Sequence, residues 1–200
     1  MSITILSIVI LIFSVIVHEV SHGYMADVLG DPTARLQGRL SLNPLKHIDP
    51  LGSIIVPIMT LVLTHFAFGW AKPVEYNPYN LKNKRQGEFL IALAGPFSNI
   101  IIALIFGTII RFTFYGAVTP FIEVSSYIVI INIILGIFNL IPLPPLDGSK
   151  LLFSLLPQQY GKFRMMLESY SSIFVLIVVF LLWNVISPVI PFVFVFFTGL

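Results

Sequence analysis

Ile3 to Leu29 reads ITILSIVILIFSVIVHEVSHGYMADVL, and the cluster His18, Glu19 and His22 inside this largely apolar run decides how the rest of the chain is read. No basic residue precedes the run and no small-x-small cleavage site follows Val17, so a removable signal peptide fits poorly and a retained helix is expected. Apolar and small residues continue past His22 to Leu29, and Gly30 before Asp31-Pro32 is a helix stop. The polar triplet therefore falls within a span rather than at its edge.

Composition extends this reading to the whole chain. Of 200 residues only 10% are charged, 57% are hydrophobic, and the mean hydropathy is +0.97; a typical soluble chain carries about 25% charged residues. Such a balance excludes a nucleic-acid binder, a disordered tail and a water-soluble enzyme. The absence of cysteine removes disulfides and any thiolate ligand or nucleophile.

Further apolar runs are Leu51 to Trp70, Phe89 to Ile110, Tyr127 to Ile141 and Ile173 to Phe197, separated by Pro, Gly or charged clusters. The last is broken by Ser187-Pro188 and Pro191, which should kink it or end its helix early. Thr33 to Asn43, TARLQGRLSLN, sets Leu36, Leu40 and Leu42 at period two and suggests a short strand or β-hairpin. Trp70 to Asn80, WAKPVEYNPYN, reads as an extended interfacial segment. No internal repeat marks a second domain, so residues 1–200 are read as one unit.

His18-Glu19-Val20-Ser21-His22 matches H-E-x-x-H. On a helix, residues four apart share a face, so both imidazoles can bind one ion while Glu19 stands beside it as a general base. Ionisable groups within a bilayer are costly to bury and usually functional. A hydrolytic zinc site takes three protein ligands and leaves one position for water, which calls for a third ligand. Asp147 ends an apolar run whose prolines, in LIPLPPLDG, break the helix and let a carboxylate turn inward. The competitors are His47, Asp49, His65 and Asp27. His47 and Asp49 lie in a polar stretch and read as solvated; Asp27 is about 140° off the His22 face by helical pitch; His65 is isolated in an apolar run. Asn139, eight residues before Asp147, has an amide that could donate to a tetrahedral oxyanion or hydrogen-bond across helices, and Asn99 reads as packing between helices.

HEVSHGY at 18–24, ALAGPFSN at Ala92 to Asn99 and FNLIPLPPLDG at Phe138 to Gly148 resemble, in order and separation, the site-2 protease family of intramembrane zinc metalloproteases. The resemblance covers nearly the whole chain and is nearest to compact prokaryotic members without PDZ or CBS domains, whose GRLSLNPLKHIDPLG and GWAKPV segments also occur here. It implies one Zn²⁺ held by His18, His22 and Asp147, Glu19 as catalytic base, and Asn139 as a polar residue near substrate or the oxyanion. Membrane proteins with a transmembrane helix would be the substrates.

The expected fold is all-α and polytopic, with four full spans (about 3–29, 89–110, 127–141 and 173–197), 51–70 re-entrant or interfacial, and the short β-hairpin or strand of Thr33 to Asn43 near the active site. The assignment of 51–70 follows from depth: His18 and Asn139 both come late in their runs, so an odd number of crossings must separate them. Charge agrees. If 51–70 crosses, Lys and Arg divide 4 against 7; if it returns, they divide 10 against 1, with only Arg111 on the far side. A multi-pass plasma-membrane protein with an outside N-terminus and its zinc toward the cytoplasmic half is expected. A metal transporter or an inactive membrane binding protein is the alternative, and the lack of paired broken halves counts against the former.

Overall fold

The computed structural model describes residues 3–49, 72–157, 161–169 and 185–200, with isolated residues 55, 59 and 181. Among them the chain is helical, with no β-strand. Three helices are long and apolar enough to cross a membrane: α1 (Ile3–Val28), α3 (Lys84–Thr113) and α4 (Pro120–Asn139). Shorter helices are α2 (Thr33–Leu36), α5 (Asp147–Leu155), α6 (Gly161–Ser169) and α7 (Val189–Thr198). The run expected to be re-entrant, 51–70, lies outside the described residues apart from 55 and 59, as does most of 173–188.

Helix boundaries follow local chemistry. α1 ends where Gly30 adopts φ +108°, and the Asp31 amide reaches back to the Ala26 carbonyl at 2.9 Å. α3 begins before its apolar run because Asn83 caps it, its side chain accepting from Gln86 N. α4 begins seven residues before Tyr127, since Thr119 caps it, Pro120 occupies the first turn and Glu123 complements the dipole. α7 starts just after Ser187-Pro188, and Pro191 is accommodated in its first turn, where no intrahelical donor is required.

Contacts fix the helix directions. Gly136 of α4 packs against Pro96 and Ile100 of α3 while Ile122 lies with Ile110, so α3 and α4 run in opposite directions. His22 meets Ile91 while His18 meets Asn99, so α3 also runs against α1, and α1 and α4 run the same way. The main core lies between α3 and α4, with Ala103, Ile110, Ile122, Val129 and Ile133 buried together under Phe194 and Phe197 of α7.

The strand expected over Thr33 to Asn43 is replaced by a helical turn and a self-closed loop. Asp31 Oδ1 accepts from both Thr33 N and Thr33 Oγ1, which winds the chain into α2. Gly38 at φ +65° then reverses it, the Arg39 guanidinium donates to the Lys46 carbonyl, and His47 Nε2 donates to Ser41 O at 2.7 Å. Leucine alternation loses to these polar bonds: Leu36 is 79% exposed, whereas Arg39 and His47 are buried. The solvated role expected for His47 is corrected accordingly.

Asp31 is a hub. Its buried carboxylate also accepts from Asn80 Nδ2 and Asn77 N, both at 2.7 Å, tying the exit of α1 to the segment that leads into α3. Burial pushes the carboxyl up, but the hydrogen bonds from Thr33, Asn80 and Asn77 outweigh it and hold it below the ordinary carboxylate value. A lowered folded-state pKa stabilises above the unfolded value and loses that contribution as pH falls through the folded one. Acid unfolding in detergent should therefore show a loss of stability below about pH 4 that is absent from Asp31→Asn; an identical acid limb in both proteins would remove this role. At neutral pH Asp31→Ala should cost on the order of 2–4 kcal/mol, because buried donors lose their acceptor.

Candidate metal centre

His18 and His22 stand one turn apart on the buried face of α1, with ring centroids 4.7 Å apart and edge to face. Asp147 comes from the other end of the chain. Pro142, Pro144 and Pro145 prevent α4 from continuing, the loop folds back, and Asp147 opens α5 with its carboxylate buried. Gly148 permits the fold-back: a Cβ there would sit 2.3 Å from Leu140 O and 2.4 Å from Ile141 O.

The result is a triangle. His18 Nε2, His22 Nε2 and Asp147 Oδ2 lie 3.0 Å from one another on every side. His22 Nδ1 is 2.6 Å from Ile91 O; a carbonyl only accepts, so Nδ1 carries the proton and Nε2 presents its lone pair to the triangle. One proton can bridge two corners, but a divalent cation serves all three. Tetrahedral zinc with bonds of about 2.0–2.1 Å would set its ligand atoms about 3.3 Å apart, close to the observed spacing.

A neighbouring glycine leaves room for such an ion. Gly95 of α3 faces the triangle so closely that a Cβ would lie 2.4 Å from His22 Nε2 and 2.5 Å from His18 Nε2. The donor set and the glycine-lined space both fit zinc. Among the described residues this is the His/Asp/Glu group close enough to hold an ion.

Glu19, beside the ligand helix face, is half-buried, and its Oε2 accepts from the backbone amide of Val74 at 2.9 Å. Lys150 Nζ stands 3.5 Å from Asp147 Oδ1. Asp27 is turned to Arg35, 3.3 Å away, and His65 lies outside the described residues. Asn139 Nδ2 donates to Leu135 O of its own helix at 3.0 Å rather than to the triangle. The asparagine that touches a triangle residue is Asn99, its Oδ1 2.6 Å from His18 Nδ1.

Gly95, the Val74 amide and the contact of Asn99 with His18 escape sequence reading. A glycine in ALAG reads as helix packing, and nothing in one dimension brings residue 74 to residue 19.

Two buried histidines and an aspartate, meeting among apolar helices beside a glutamate, form a group that could hold a metal ion, the kind of site a metal-dependent membrane hydrolase requires. Comparison with known proteins agrees. The profile of peptidase family M50 matches residues 115–184. The "Putative zinc metalloprotease YwhC" of Bacillus subtilis is 37% identical over 85% of this chain and 78% of its own length. The "Putative zinc metalloprotease Rip2" of Mycolicibacterium smegmatis is 28% identical over 68% of the chain and 52% of its own, and the "Zinc metalloprotease MJ0392" of Methanocaldococcus jannaschii is 25% identical over 76% and 35%. No solved structure matches at a significant level. The chain belongs to peptidase family M50, the site-2 protease family, and is a metalloendopeptidase.

Proposed function

We propose that this protein is an intramembrane protease that binds one zinc per chain through His18, His22 and Asp147 and cleaves membrane-protein substrates within or near a transmembrane helix. The observation that carries the reading is the buried triangle of ligand atoms among helices able to cross a bilayer. His18 lies about 22 Å along α1 from Ile3 at 1.5 Å per residue, so a peptide bond reaching it would be inside the roughly 30 Å hydrocarbon layer.

Zinc held there would polarise the scissile carbonyl and make water acidic enough to attack near neutral pH. The remaining work falls to the chain's own groups. Glu19 accepts the proton of the attacking water and returns it to the leaving amide nitrogen, while Val74 N donates to its Oε2. Asn139 Nδ2 has two N–H groups; one bonds Leu135 O, which leaves the other as a candidate donor to the substrate oxyanion.

Replacing Asp147 by Ala should sharply lower both zinc content and cleavage of a single-span substrate in proteoliposomes. Asp27→Ala should change neither. Full activity in the Asp147 variant would reject the ligand assignment.

In this reading the site lies toward the cytoplasmic half of a plasma membrane, with the N-terminus outside and four full crossings. Support comes from His47 O, which accepts from Lys72 N at 2.9 Å, so the chain leaves and rejoins the described structure at one point. The 10-to-1 division of Lys and Arg has the same sense. Single cysteines at Lys46 and Lys82, clean probes in a chain without Cys, should label from the same cytoplasmic face; labelling from opposite faces would overturn the topology.

A further inference from the structure

Asn99, Asn132 and Ser14 come from three helices and are buried together at the level of His18. Bilayer helices often bury polar residues simply to hydrogen-bond one another. Here the bonds have a direction that such packing does not require. Asn99 Nδ2 lies 3.3 Å from Ser14 O and Asn132 Nδ2 lies 2.9 Å from Ile128 O. Backbone carbonyls only accept, so each places the amide nitrogen, not the oxygen, on its own side. Asn132 Oδ1 is then free to accept from Asn99 Nδ2 at 2.8 Å, while Asn132 Nδ2 also donates to Ser14 Oγ at 2.9 Å. Asn99 Oδ1 is left facing His18 Nδ1 at 2.6 Å, and an acceptor there obliges Nδ1 to hold the proton. His18 Nε2 must therefore present its lone pair to His22 and Asp147.

We propose that Asn99, oriented by Ser14 and Asn132, is a positioning residue that sets the tautomer and ring orientation of His18 for metal binding. The inference rests on the reading of His18 as a zinc ligand. It gives the two histidines different supports. His22 is set by the Ile91 carbonyl of a helix backbone, which substitution cannot remove, whereas His18 depends on a side-chain relay across α1, α3 and α4. Partners beyond the ligands typically contribute 10–100-fold to metal affinity.

The test uses the full-length protein in detergent. Zinc dissociation constants are measured by chelator competition, and ligand-field spectra are recorded after cobalt substitution. Asn99→Ala should weaken zinc binding about 10–100-fold and shift the cobalt bands. Asn132→Ala should act in the same sense but less, and the double variant should bind zinc no more weakly than Asn99→Ala, because both residues act along one route. Val129→Ala, which opens a cavity at the α3–α4 interface without touching the relay, should lower thermal stability and leave zinc affinity and spectrum unchanged. Should Asn99→Ala fail to fold, Asn132→Ala still decides, since it leaves Asn99 in place. The proposal is overturned if the asparagine variants lose only stability, or if Val129→Ala weakens zinc as much as they do. His18→Ala calibrates the reading beneath it: undiminished affinity there would mean that His18 is not a ligand, a failure distinct from that of the relay.

Discussion

Gly95→Ala should leave the protein folded and nearly devoid of zinc. The added methyl would stand 2.4–2.5 Å from His22 Nε2 and His18 Nε2, the two nitrogens of the proposed metal site, well inside van der Waals contact. It cannot be relieved by a rotamer change, because a Cβ has none and both imidazoles are held from behind by Ile91 O and Asn99 Oδ1. Either α3 withdraws from α1 or the histidines rotate away from Asp147, and both outcomes open the triangle. Overpacking of this kind costs about 1–3 kcal/mol, which a membrane helix bundle can absorb while losing the site. Zinc content of the purified variant checks the expectation, with Gly161→Ala as control, since nothing lies within 4 Å of a Cβ there. A Gly95→Ala protein with the zinc content of the parent would show that the metal does not bind between α1 and α3.

Glu19→Gln should behave in the opposite way, keeping zinc while turnover falls about 10²–10⁴-fold, the usual contribution of a general base. Glu19 is not a corner of the triangle, so the ligand set is intact. The substitution is also conservative toward the loop: a glutamine oxygen still accepts from Val74 N, so the 72–77 segment keeps its place against α1. What disappears is a group able to take a proton. Substrate cleavage in proteoliposomes, measured beside zinc content, separates this from Gly95→Ala. Parallel loss of zinc and activity in Glu19→Gln would make Glu19 a structural or ligating residue instead of a base.

Much of the molecule is legible in one dimension because its strongest constraints are local. Apolar runs specify α1, α3 and α4, since a bilayer leaves no other partner for their backbone groups. His18 and His22 share a face by helical pitch alone, and Gly30 marks the end of α1 where a left-handed residue is required. The strand expected over Thr33 to Asn43 fails for an equally physical reason. Period-two leucines are a weak signal, and Asp31, Arg39 and His47 settle that loop through bonds to Thr33, Lys46 and Ser41 that no periodicity records.

One dimension suffices for a membrane protein with a helical His pair, an adjacent glutamate and a late aspartate preceded by helix-breaking prolines. Tertiary structure alone decided that Asp147 Oδ2 comes within 3.0 Å of both imidazoles, that Gly95 is the residue making room beside them, and that Asn99 rather than Asn139 touches a histidine of the triangle. Those facts depend on where α3 crosses α1 and on how tightly the 140–146 loop folds back. The crossing position is set by packing over about 70 to 130 residues of separation, a range over which periodicity and spacing carry no distance information, and the tightness of the fold-back by how closely Gly148 lets the chain approach Leu140 and Ile141.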